Sequence, residues 1–297
     1  MDEATEPWLA SPSSSIPHDR SHRVCTPTNP GCRKSHIAGG RGWGRGLEVS
    51  VTELVIIRHG ESAGNAAAAE ANAAGAELIV VDRRDADVPL SPVGIEQARA
   101  LGSVLRPLVA DGRRTRVWSS PYVRARETAE YALGAERASG IVVDERIVLD
   151  ERLRDRELGV LDLLTTLGVQ SRFPLEADRR RWLGKFYHRP PGGESWADVA
   201  LRLRSFLSDL AADPADRGVI VGHDAVVLLL RYICEGLTEQ QVLGIQAESP
   251  VRNGSITRLV LRSGQGWALT DYNDVRHLDE HGVEITEHRG EIDDRRR

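Results

Sequence analysis

Two short apolar runs, each ending in a histidine, constrain this chain more than any other feature. Leu54-Val55-Ile56-Ile57 stops at Arg58-His59-Gly60, and Val219-Ile220-Val221 stops at Gly222-His223-Asp224. Neither run alternates apolar with polar residues. An unbroken run of branched side chains reads as a strand covered on both faces, as in a parallel sheet clad in helices. The intervening segments fit that frame. Ser91-Pro92 opens a helical pattern (Ile95, Ala98, Leu101, Leu105) with serine as N-cap and proline first. Arg116–Ser119 predicts a second strand, and residues 122–133 the helix after it. Ile141–Val143 and Arg146–Leu149 predict another strand. Ser195-Trp196-Ala197-Asp198 has the form of a capping box, with Asp in place of Glu, ahead of a helix to Leu210. Ala225–Leu237 reads as an apolar helix, and Ser255–Leu261 and Trp267–Tyr272 as last strands on an antiparallel edge. The alternation predicts an α/β fold, a three-layer α/β/α sandwich with a mostly parallel central sheet.

Three segments break the pattern. Residues 1–48 hold Ser13-Ser14-Ser15, scattered prolines and a glycine-rich stretch, with no sustained period. Such composition predicts a disordered leader, read either as a flexible tail or as residues upstream of a true start near Leu47–Val51. Residues 160–194 run from a helical pattern through Arg179-Arg180-Arg181 to Pro190-Pro191-Gly192-Gly193, the form of a small lid. Residues 276–297 read as a charged tail without an apolar face. The folded domain is therefore placed at 49–275. Net charge is −5, so the chain as a whole has no basic field for nucleic acid. No stretch is apolar enough to span a membrane, and no apolar h-region follows the N-terminus. Cys25, Cys32 and Cys234 suit neither a disulfide framework nor a zinc site, and Cys234 reads as core. A cytoplasmic location follows as an expectation.

The candidate chemistry sits where the strands end. In open α/β sheets ligands bind beyond the carboxyl ends of the strands, where the two runs place His59 and His223. A lone histidine there has an ordinary structural reading. Two in equivalent positions, with Arg58 on the first strand and Ser119-Ser120-Pro121 and Arg124 after the second, bring imidazoles and guanidiniums to one sheet edge. That is a pocket for a dianion. Glycine at position 60 permits close backbone approach. Arg126 reads as a surface or salt-bridged helix residue. Arg179–Arg181, Lys185 and Arg189 read either as facing an acidic substrate or as a solvated charged face.

The ordered set resembles the histidine phosphatase superfamily, the phosphoglycerate mutase-like fold. It comprises Arg58-His59-Gly60-Glu61-Ser62 with Asn65, Leu90-Ser91-x-x-Gly94-x-x-Gln97-Ala98, Ser119-Ser120-Pro121-x-x-Arg124-Ala125-x-x-Thr128-Ala129, Leu153-Arg154-Asp155 with Gly159, Gly192-Gly193-Glu194-Ser195 and Val221-Gly222-His223. The resemblance covers residues 52–272. It implies that His59 is the phosphorylated nucleophile, that Arg58, Arg124 and His223 bind the phosphoryl group, and that Asn65 helps position it. Gly60, Ser62 and Asp224 join as substrate-binding candidates. It implies no metal and no other cofactor. For the general acid, Asp155 stands four residues before Gly159, where many members have glutamate. Asp224, directly after the second histidine, is the next alternative, followed by Glu151 and Glu157. The helix N-cap is the structural reading of Asp224. Leu158, where family mutases carry tyrosine, favours a hydrolase of phosphomonoesters over a mutase-type isomerase. A non-catalytic phospholigand-binding module is the third reading. The implied partner is a small phosphorylated molecule, with neither nucleic acid nor membrane, and a homodimer is left open.

Overall fold

The structure, a computed structural model, describes residues 51–134, 136–137, 140–141 and 147–288. The expected leader, Cys25 and Cys32, and residues 289–297 of the expected tail lie outside the described residues. In chain order the elements are β1 (Glu53–Arg58), α1 (Ala63–Ala73), α2 (Pro92–Ala110), β2 (Thr115–Ser119), α3 (Val123–Leu133), β3 (Glu136–Arg137), β4 (Gly140–Ile141), β5 (Ile147–Leu149), α4 (Thr166–Arg172), α5 (Pro174–Leu183), α6 (Trp196–Ala211), β6 (Arg217–Gly222), α7 (Asp224–Glu235), α8 (Glu239–Glu248), β7 (Ile256–Arg262), β8 (Gly266–Asp274) and α9 (Arg276–Glu280).

The central sheet has the order β5-β2-β6-β1-β7-β8. β5, β2, β6 and β1 are mutually parallel, and β7 and β8 form the antiparallel edge. Side-chain alternation explains why both apolar runs lack polar residues. On β1, Leu54 and Ile56 enter one core with Phe206 of α6 and Leu228 of α7, while Val55 and Ile57 enter a second with Leu101 of α2 and Ala129 of α3. On β6, Ile220 joins the first core and Val219 and Val221 the second. Helices therefore cover both faces, giving the expected three layers. The caps follow the sequence as well. Ser91 and Ser195 each cap a helix through the side chain, and Ser195 with Asp198 closes a full capping box. α7 differs, because its N-cap is His223 and Asp224 is its first helical residue.

The 276–288 part of the expected tail is corrected. Leu278 is fully buried, and with Val275 and Ala100 it forms a third small core on which Val283 and Ile285 pack. The segment was misread because a helix of five residues and an extended strap give too few turns to show a period. Among the described residues no helix is long and apolar enough to cross a membrane.

One contact fixes the loop after β1. A Cβ on Gly94 would lie 1.9 Å from the Glu61 carbonyl oxygen, and one on Gly60 would lie 2.5 Å from that of Gly94. The loop and the first turn of α2 therefore meet backbone to backbone. Gly94→Ala should destabilise the fold by about 2 kcal/mol or more, the scale of overpacking against an unyielding wall. Urea denaturation measures it, and an unchanged midpoint would show that the loop shifts freely.

Candidate active site

The sheet order puts β6 between β1 and β2, so three neighbouring parallel strands end side by side. The His59 amide donates to the Gly222 carbonyl (2.9 Å) and the Ser120 amide to that of Val221 (2.9 Å). The ladder thus runs one residue beyond β1 and β2 and brings His59 and His223 together. Their ring centroids lie 5.1 Å apart, edge to face. Both rings are buried, as are Arg58 and Arg124.

The two imidazoles are held differently. His59 Nδ1 lies 2.6 Å from the Gly60 carbonyl oxygen. A carbonyl only accepts, so Nδ1 carries the proton and Nε2 keeps its lone pair. Burial, then the charges around Arg124, His223 and Arg58, hold this imidazole well below its ordinary value of 6.5. The ring is therefore neutral at neutral pH, as a nucleophile requires. His223 has Nε2 at 2.9 Å from Ser120 Oγ and Nδ1 at 3.2 Å from Asp155 Oδ2, and Tyr122 packs edge-on against its ring. Burial lowers its pKa against the pull of Asp155.

The guanidiniums come from two elements. Arg58, the last residue of β1, donates to the Val251 carbonyl through Nη1, while its buried Nε has no partner among the described residues. Arg124, in the first turn of α3, reaches Asp155 Oδ2 at 2.9 Å. Burial favours a protonated Asp155 carboxyl, but His223 and Arg124 outweigh it and hold the group well below the usual carboxylate range. Asp155 is thus brought into contact with two of the four core residues.

The other candidates fall outside this cluster. Asp224 accepts from its own neighbour, the Ala225 amide, at the start of α7, and its charge acts on Arg58. Glu157 accepts from the Tyr122 hydroxyl at 2.7 Å, and Glu151 is exposed. Gly60 and Ser62 make contacts within the loop and its supports. The Gly60 amide donates to Thr128 Oγ1 (3.0 Å), and Ser62 and Asn65 close a capping box on α1. Arg126 pairs with Glu130 on its own helix. Arg179 and Arg189 pair with Glu176 and Asp198, and buried Lys185 donates to Gln246. Both arginines are exposed as well as ion-paired. Cys234 packs against the first core, and burial pushes its thiol up to about 12.

Sequence reasoning missed the residues that brace the loop after β1 from the far end of the chain. Asn253 Nδ2 donates to the His59 carbonyl (3.2 Å) and to Asn65 Oδ1 (3.3 Å). The Asn253 amide in turn donates to the Thr286 carbonyl (3.1 Å), and Thr286 Oγ1 to Asn253 Oδ1 (3.2 Å). Buried Gln97 accepts from the Glu61 amide and donates to Thr286 Oγ1. His288 Nε2 lies 3.1 Å from Glu61 Oε2. Asn253-Gly254 is a turn-forming pair, but nothing in the sequence ties it to residue 286.

The pattern defining the histidine phosphatase superfamily (branch 1) matches residues 54–275, and the chain belongs to that superfamily. It is 34% identical over 169 residues to the phosphoglycerate mutase-like protein AT74H of Arabidopsis thaliana, covering 54% of this chain and 53% of that protein. The chain thus spans about half the length of that relative. It is 29% identical over 241 residues to the probable phosphoglycerate mutase GpmB of Escherichia fergusonii, covering 76% of this chain and 95% of that one. The solved mycobacterial glucosyl-3-phosphoglycerate phosphatase with inorganic phosphate matches at 26% identity and a TM-score of 0.55, over 76% of this chain and 99% of its own.

Two titration outcomes follow. In ¹⁵N NMR, His59 should remain the neutral Nδ1–H tautomer at pH 6.5, where a free imidazole is half protonated. The unfolded rings take up protons near 6.5 while buried His59, His223, His188 and His277 are held lower. The unfolded state therefore binds more protons below that pH, and stability falls as pH drops through it. A denaturant midpoint that rises between pH 7 and 5.5 would contradict this sign.

Proposed function

We propose that the chain is a metal-independent phosphatase that hydrolyses phosphomonoesters through a phosphohistidine on His59. The observation that carries the reading is the Nδ1–Gly60 hydrogen bond. It leaves Nε2 as the attacking nitrogen of a neutral ring, with His223 beside it and Arg58 and Arg124 bringing positive charge to the same strand ends.

In the first step Nε2 attacks phosphorus, the bond to the ester oxygen breaks, and Asp155 delivers a proton to the departing alkoxide. In the second, water attacks the phosphohistidine, Asp155 takes a proton from that water, and the P–N bond breaks to release phosphate and the neutral ring. Dividing one difficult hydrolysis into two displacements is the gain of covalent catalysis. Charge spread over the transferring oxygens is met by Arg58 and Arg124, which stay protonated at any working pH. A phosphoryl dianion also favours the His223 cation, reversing the effect of burial. Asp155 is ionised beside His223 and Arg124. Once the dianion neutralises those two, burial is what remains, and burial favours the protonated acid.

Similarity to probable phosphoglycerate mutases supports a second reading, an isomerase that returns the phosphoryl group to a second hydroxyl. A panel of phosphomonoesters assayed with EDTA, beside a mutase assay with 3-phosphoglycerate, separates the two. EDTA-resistant phosphate release lost in His59→Ala is the expected result. Formation of 2-phosphoglycerate without release would overturn hydrolysis. Asp155→Asn should cut turnover of an alkyl phosphate by about 10²–10⁴-fold and that of p-nitrophenyl phosphate far less, because p-nitrophenolate leaves without a proton. If Asp224→Asn shows that split and Asp155→Asn does not, the acid is Asp224.

A further inference from the structure

The donors of Arg124 do not balance against the task given to that residue. A guanidinium has four terminal N–H groups and one on Nε. Nη1 of Arg124 donates to the Asp85 backbone oxygen (2.7 Å) and to Asp85 Oδ1 (3.1 Å). Nη2 donates to Asp85 Oδ2 (3.1 Å) and to Asp155 Oδ2 (2.9 Å). All four terminal N–H groups thus have a protein acceptor, three of them on Asp85. A two-pronged grip on phosphate needs two adjacent N–H groups on one side of the fork. Nε with one terminal nitrogen, or both terminal nitrogens, would serve. Either choice takes at least one N–H from Asp85 or Asp155.

The surroundings decide which carboxylate yields. Asp155 is held from three directions, by Arg124, by His223 Nδ1 at 3.2 Å and by the Arg156 amide at 2.8 Å. Its side chain is 24% exposed. The Asp85 side chain is 41% exposed and so is already partly hydrated. It sits on a single turn, Asp85–Asp87, within the connection from α1 to α2. Leaving Arg124 returns the Asp85 carboxylate to water, whereas displacing Asp155 would also strip His223 of its partner.

We propose that Asp85 competes with the substrate phosphoryl group for Arg124, and so sets how tightly phosphate is held and how readily it leaves. Asp85 is a specificity-determining residue in this account and takes no part in bond making. The inference rests on the reading of Arg124 as a phosphate ligand. The competing account is that Asp85 stays on Arg124 during turnover and orients it, and the two accounts predict opposite signs.

The test measures binding of inorganic phosphate by calorimetry, and of orthovanadate by inhibition, for the full chain and for Asp85→Asn. A tightening of roughly three- to ten-fold is expected, the scale of losing one partly exposed ionic competitor. KM for a phosphomonoester should fall with it, and product inhibition by phosphate should rise. Unchanged or weaker phosphate binding would overturn the proposal and assign Asp85 an orienting role. Asp85→Ser, which also removes the charge, serves if the asparagine variant does not fold, with the same two outcomes. Arg124→Ala separates the proposal from the reading beneath it. If that variant binds phosphate as well as the unmodified chain, Arg124 is not a ligand and both fail. If it loses binding while Asp85→Asn does not tighten, only the proposal for Asp85 fails.

Discussion

The site depends first on the pairing of β1 with β6. Their parallel register matches Arg58 to Gly222, and the next hydrogen bond, from the His59 amide to the Gly222 carbonyl, carries the ladder one residue past β1. Parallel strands share one carboxyl end, so two histidines that follow β1 and β6 reach the same edge whatever lies in the 163 residues between them. A slip of one residue would reverse which side chains face each helical layer. The apolar cores on both faces therefore fix the separation of the two rings. Stability of the sheet and geometry of the site are consequences of one register.

Against that frame stands an electrostatic cost. Two guanidiniums are buried beside two imidazoles, and burial of unpaired charge is expensive. The fold answers by supplying acceptors: the Val251 carbonyl for Arg58, and Asp85 and Asp155 for Arg124. It also keeps both imidazoles from adding further charge. On the proposed reading, one of the carboxylates that make the cations tolerable, Asp85, is also the group a phosphoryl dianion would displace from Arg124. Compensation within the folded protein and affinity for the ligand are thus set by the same few contacts.

Much of this was legible in the sequence because it rests on local rules. Unbroken branched runs gave β1 and β6, serine caps gave α2 and α6, and the ends of strands located both histidines and Arg124. Thr286 and His288 were not legible, because their contacts with Gln97 and Glu61 span 189 and 227 residues and they belong to a segment without periodicity. Asp85 was hidden for another reason. It lies in Asp82-Arg83-Arg84-Asp85, a run indistinguishable by composition from a solvated loop, and only the fold shows which of its charges turns inward. Gly60 signals close backbone approach in the sequence, and the structure shows one such approach, to Gly94. A glycine signals that something is near, and the fold alone says what.

The distribution of charge around the site also bears on what can occupy it. Residues 160–194 are rich in arginine, yet Arg179 and Arg189 are paired with Glu176 of α5 and Asp198 of α6. Around Arg124 stand the carboxylates of Asp85, Asp155 and Asp162. Burial and then the charge of Asp85 push the Asp162 carboxyl upward, and Glu157 adds to that push. A phosphoryl group bound at His59 would therefore meet cations at its own oxygens and carboxylates beyond them. Coulomb repulsion in a partly buried site of this kind acts strongly over a few ångströms. On the proposed reading, that repulsion would disfavour a second phosphate on the leaving group and leave the cations for one phosphoryl group.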